Sequence, residues 1–164
     1  MVTPQDVLDL AKAHVGEKET GDNAGEIVQW SCNPWLPKGW DVSKPHPETK
    51  KMGWAAWCAG FVSTCYLRAG YPMQKLGSLS VTTLYNRCVA AIKTEKVKNP
   101  DGYTPSPADL IFFQDKTGEL VHVGLVRFSD EKNVYTIEGN SKNAISQNQY
   151  DKKNPKIFKY INLF

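Results

Sequence analysis

The sequence predicts an α+β fold, with a helix-rich first half packed on an antiparallel sheet built by the second half. Three observations carry that expectation. Apolar residues recur at helical spacing over 4–16 and 57–70, β-like runs follow one another between 109 and 163, and hairpin-length gaps separate the first of these runs. No internal repeat or low-complexity tract interrupts the 164 residues, so a single domain spanning 1–164 is expected.

Thr3, Pro4 and Asp6 form a helix start: a capping hydroxyl, a proline at the first helical position and an acid in the first turn. Val7, Leu8, Ala11 and Val15 make its apolar stripe, and Gly16 is its stop. A shorter helix is expected over about 23–30. Residues 31–53 hold four prolines with Gly39 and Gly53, which reads as a long surface loop. From Trp57 the pattern is helical again, with Cys58, Phe61, Val62, Cys65 and Ala69 on one stripe and Gly70 as the cap. Ser80 caps a further helix to about Val89. Strands are expected at 109–114, 120–128, 134–139 and 156–163, joined at first by the short connections "DKTGE" and "SDEKN".

Composition narrows the function. With 41% hydrophobic and 23% charged residues, the chain is a globular domain rather than a disordered one. Its net charge of +3 is spread along the sequence, which supports no nucleic-acid role. No apolar run reaches the roughly 18–20 residues of a membrane span, and "MVTPQDVLDLAKAH" lacks the features of a signal peptide. The four cysteines, at 32, 58, 65 and 88, fit no zinc spacing, and free thiols are expected. Cys58 and Cys65 would lie about 10 Å apart along a helix, too far for a disulfide.

A nucleophilic cysteine needs its thiolate, which a helix N-terminus and a neighbouring imidazole both favour. Cys58 starts the proposed helix; Cys65 lies two turns in and reads as packing. Of the three histidines, His14 has a structural or surface role and His46 a solvated one in the proline-rich loop. His122 interrupts the otherwise apolar "LVHVGLVRF", with Gly124 on the same face. Across a turn at 129–133, His122 pairs near residue 140, so Glu138 and Asn140 both come within reach of the imidazole. Either could accept its N–H and fix its tautomer. All five tryptophans fall within 28 residues, in or beside the long loop. Packing the loop on the body is the expected role of most; Trp57, Trp35 and Trp40 are the candidates for a substrate-binding wall.

These residues resemble a known family. "WAAWCAGFVSTCYLRAGY" is similar to the signature helix of the CHAP domain (cysteine, histidine-dependent amidohydrolase/peptidase), a branch of the NlpC/P60-like papain fold. "PADLIFF", "HVGLV" and "TIEGNS" resemble the family's later strands, in the family's order, and "AKAHVGEKETGDNAG" resembles the opening segment of many members. The resemblance implies a papain-like α+β fold with the cysteine helix packed on an antiparallel sheet. It implies Cys58 as nucleophile, His122 as general base and Glu138 as the orienting residue, with Asn140 a secondary polar member or the orienter in its place. The implied substrate is peptidoglycan, cut at the N-acetylmuramoyl–L-alanine amide or at a stem or cross-bridge peptide bond. The implied place of action is the bacterial cell wall, reached by a holin, a phage particle, a secretion system or a segment outside this chain. No cofactor is implied, and a monomer is expected.

Two features depart from family patterns. Members that bind calcium do so through an Asp-rich loop before the cysteine; here "HPETKKMGWAAWC" offers one glutamate, so no metal is expected. Papain-like enzymes often place a glutamine ahead of the cysteine, whereas Ala55 and Ala56 carry no side-chain donor. The Cys58 backbone N–H is the expected oxyanion donor. A non-catalytic wall-binding module of the same fold, and a cysteine amidase or peptidase with a non-wall substrate, are the rival readings.

Overall fold

Thr3 and Asp6 close the first turn of α1 (Pro4–Ala13) reciprocally: Thr3 Oγ1 accepts from the Asp6 N–H, and Asp6 Oδ2 accepts from the Thr3 N–H. This geometry, like all that follows, is that of a computed structural model describing residues 1–164. Val7, Leu8 and Ala11 are buried along one face, and Gly16 leaves the helix at φ +92°. The second helix, α2 (Glu26–Cys32), starts later than the sequence predicts. A tight turn with a Gly21–Ala24 bridge comes first, and Gly25 at φ +108° has a backbone that no helix accepts.

The loop expected over 31–53 runs on to Trp57, with one 3₁₀ turn at Asn33–Trp35. Helix α3 (Cys58–Arg68) is buried all round from Cys58 to Tyr66 rather than along one stripe. Its small residues allow this. At Gly60 a Cβ would stand 2.7 Å from the Ser31 carbonyl oxygen, so only glycine lets α2 come this close. Thr64 then donates to that same carbonyl at 2.9 Å. Helix α4 (Val81–Ala91) begins at Ser80, whose Oγ accepts from the Thr83 N–H.

Six strands follow: β1 (Val97–Lys98), β2 (Leu110–Gln114), β3 (Leu120–Ser129), β4 (Asn133–Ser141), β5 (Ala144–Asp151) and β6 (Ile157–Ile161). They form one antiparallel sheet in the order β1-β6-β2-β3-β4-β5. Two of them, β1 and β5, are absent from the sequence expectation. The first has two residues; the second lies at the sheet edge and runs through "SQNQ", with no apolar alternation to announce it.

Both faces of the central strands are covered. Leu110, Phe112, Val123, Leu125 and Ile137 join the helices in a cluster of 28 buried residues, and Ile111, Phe113, Val126, Val134, Ile157 and Tyr160 form a second cluster on the other face. That is why "LIFF" reads as a continuous apolar run. Asp109, at the head of β2, is buried but satisfied: it accepts from the Ser106 N–H, the Tyr103 hydroxyl and the Asn162 amide. It ties the turn before β2 to the end of β6. No helix is long and apolar enough to cross a membrane.

Thr3→Ala removes the acceptor that closes α1. A loss of about 1 kcal/mol in urea denaturation is expected.

Candidate active site

Cys58 is the first residue of α3, and Trp57 before it brings no side-chain acceptor to the helix start. The first backbone bond runs from the Phe61 N–H to the Trp57 carbonyl at 2.8 Å, so the N–H groups of the opening turn have no intrahelical partner. The helix dipole therefore meets the sulfur uncapped. Cys58 is 4% exposed, and the other three cysteines are completely buried free thiols. Burial pushes Cys32 and Cys88 up to about 12 and raises Cys65 further still.

His122 lies on β3, opposite Phe113 of β2. Leu125 pairs with Ile137 between β3 and β4, and continuing that register sets Gly124 opposite Glu138 and His122 opposite Asn140. The Glu138 side chain crosses diagonally over Gly124 to the imidazole, where Oε2 accepts from His122 Nε2 at 2.8 Å. The missing side chain makes this path: a Cβ on residue 124 would stand 2.6 Å from Glu138 Cγ. With Nε2 engaged by Glu138, Nδ1 is the ring nitrogen left free, and Cys58 is the one thiol whose electrostatics reach the ring. Burial opposes the imidazolium charge. The interactions with Cys58 and Glu138 outweigh it, and His122 is pushed up from 6.5 to about 10.

Glu138 is 1% exposed, a burial that an unpaired carboxylate would not tolerate. Besides His122 it accepts from Thr136 Oγ1 at Oε1 and from the Tyr150 hydroxyl at Oε2, 3.1 Å away. Sequence reasoning missed both donors. Thr136 shares the Glu138 face by the period of two and could have been found; Tyr150 sits on the unforeseen β5. Asn140 does not bond the imidazole. At φ +54° it turns its amide to Asn23 Oδ1 at 3.4 Å, and Asn23 donates in turn to the Gly53 carbonyl at 3.0 Å.

The remaining candidates are placed elsewhere. His14 pairs with Glu17 and packs on Trp30. His46 is half-buried rather than solvated, with its ring edge-on to Trp40 and Trp54 and its Nδ1 accepting from the Glu48 and Thr49 N–H groups. Trp57 is fully buried and donates its indole N–H to Glu19, so it cannot wall an open groove. Trp35 is half-buried, with its six-membered ring against Gly77 and its indole N–H donated to Thr64 Oγ1 at 2.8 Å. Trp40 is half-exposed within the loop's own ring cluster. No group of three or more His, Cys, Asp or Glu side chains gathers as a metal site.

The family model of the CHAP domain matches residues 47–140, more than half of the chain and the stretch that carries Cys58, His122 and Glu138. The chain belongs to the CHAP-domain family. No curated protein sequence and no solved structure matches it. As a CHAP domain it falls in a family of amidohydrolases and peptidases, and its cysteine helix packed on an antiparallel sheet is the papain-like arrangement.

His122 also links this site to stability. Its folded-state value lies above the ordinary one, so its pairing stabilises the fold fully below about pH 6.5, and that contribution is lost as pH rises through about 10. The gap in urea midpoint between the parent and His122→Gln should therefore shrink steadily across that range; a gap independent of pH would contradict the pairing. Gly124→Ala should cost about 1–3 kcal/mol by thermal denaturation and lower the His122 titration midpoint in NMR, because the new methyl displaces Glu138.

Proposed function

We propose that this CHAP domain is a thiol hydrolase that cuts an amide bond of peptidoglycan, with Cys58 as nucleophile, His122 as acid and base, and Glu138 as the residue that orients the imidazole. The observation that supports the reading is a buried carboxylate on one nitrogen of an imidazole whose basicity also responds to Cys58, the thiol at the uncapped tip of α3. A structural histidine needs one such partner; a catalytic one needs both.

In the first step the Cys58 proton resides on His122 and Sγ attacks the amide carbonyl carbon. The carbonyl oxygen becomes an oxyanion, held by the Cys58 backbone N–H and the positive end of α3. The imidazolium then passes its proton to the amine nitrogen as the C–N bond breaks, which leaves a thioester on Cys58. Water attacks the thioester, His122 takes its proton, and the acid product leaves with the thiol restored. Glu138 holds the ring in one tautomer and balances its charge throughout. Asn140 contributes through Asn23 and Gly53, on the chain that leads into α3. Trp40, with Trp54, is the part of the aromatic loop able to offer ring surface to a sugar.

The catalytic unit of this reading is the whole of residues 1–164, acting as a monomer on the cell wall outside the cytoplasm. The amide cut is either the N-acetylmuramoyl–L-alanine bond or a peptide bond of the stem or cross-bridge.

Cys58→Ala should abolish release of fragments from purified peptidoglycan while leaving the thermal transition intact, and mass analysis of the parent's fragments identifies the bond. Undiminished hydrolysis by Cys58→Ala would overturn the assignment. Fragment release by neither protein, with cleavage of small peptide amides by the parent alone, would move the substrate away from the wall.

A further inference from the structure

We infer that Tyr150 is a positioning residue of this site: its hydroxyl shares Glu138 Oε2 with the imidazole, fixes the carboxylate and holds down the basicity of His122. The inference rests on the proposed Cys58–His122–Glu138 reading and extends it to β5, beyond the residues that the CHAP family model matches.

The geometry is specific. Glu138 Oε1 accepts from Thr136, whereas Oε2 accepts from two donors, His122 Nε2 at 2.8 Å and the Tyr150 hydroxyl at 3.1 Å. The Tyr150 ring is held in turn by Phe113, with centroids 4.9 Å apart, and Phe113 also packs on the His122 ring at 5.7 Å. One phenylalanine therefore sets the position of both donors. Burial and the Glu138 charge raise Tyr150 well above an ordinary phenol, so its hydroxyl stays protonated and can only donate to the carboxylate. The titratable groups facing His122 are Cys58 of α3 and Glu138 of β4; the one that reaches it through Glu138 is Tyr150 of β5. Thr136 is polar but does not titrate.

A second donor on one oxygen draws off charge that would otherwise stabilise the imidazolium. The chemistry needs this restraint. His122 must release a proton to the leaving amine and later take one from water, and an imidazole bound too firmly as the cation is slow in both roles.

Tyr150→Phe keeps the ring against Phe113 and removes only the hydroxyl. In 15N NMR the His122 midpoint should rise by about 0.5–1 pH unit. On purified peptidoglycan, kcat at pH 7 should fall about three- to tenfold with KM nearly unchanged, and the alkaline limb of the rate profile should move up in parallel. A 3-fluorotyrosine placed at 150, a stronger donor of nearly the same shape, should move the midpoint the other way and guards against a folding defect in the phenylalanine variant. If the phenylalanine variant loses thermal stability while the His122 midpoint stays put or falls, Tyr150 is only a packing residue and the inference is overturned. The NMR measurement needs no turnover, so it decides the role of Tyr150 even if Cys58→Ala retains activity and the triad reading fails.

Discussion

The buried carboxylate of Glu138 is the constraint on which the rest of the sheet depends. A charge at this depth costs several kcal/mol unless donors surround it, and its three side-chain donors come from β3, β4 and β5. Those three strands can therefore hold only one register. A slip of one residue between β3 and β4 would turn the carboxylate to the face where Phe61 and Val123 pack, with no donor to meet it. The same register puts a glycine beneath the side chain. The carboxylate, the imidazole and the gap between them are parts of a single solution.

The helix side is fixed by an equally local contact. Gly139, directly after Glu138, lies against Phe61, three residues beyond Cys58; a Cβ there would come within 2.6 Å of the Phe61 Cβ. The spacing between α3 and β4 is thus set at one residue from each of the two elements that carry the site. Because α3 is buried on every side from Cys58 to Tyr66, nearly all of its residues there are small or apolar, and Cys58 stands at its N-terminus. The features that make α3 a core helix are those that aim its dipole at Cys58.

Much of this arrangement is legible in the sequence because it rests on local rules. Thr3 and Ser80 start their helices as capping residues do, Gly70 ends α3 at φ +95°, and the period of two puts Glu138 within reach of His122. What is not legible depends on tertiary contact. Nothing local says that the polar run of β5 forms an edge strand, so Tyr150 stays hidden. Adjacency to Cys58 makes Trp57 look like a groove residue, but the residue preceding a buried helix can point inward, and here it does. The choice between Glu138 and Asn140 also lay beyond sequence, because both reach the imidazole by strand geometry and only the Asn23 contact draws Asn140 away.

The long loop illustrates how such contacts replace regular structure. Between Cys32 and Cys58 the chain has one 3₁₀ turn, so its order must come from side chains. Indole N–H groups supply part of it: Trp35 donates to Thr64, Trp54 to the Lys44 carbonyl and Trp57 to Glu19. Trp40, His46 and Trp54 pack edge to face as a small core within the loop itself. Each anchor limits the approach of the chain to the first turn of α3. The concentration of tryptophan ahead of Cys58 is therefore accounted for by ordering the chain that leads into α3, whichever of the rings also meets a substrate.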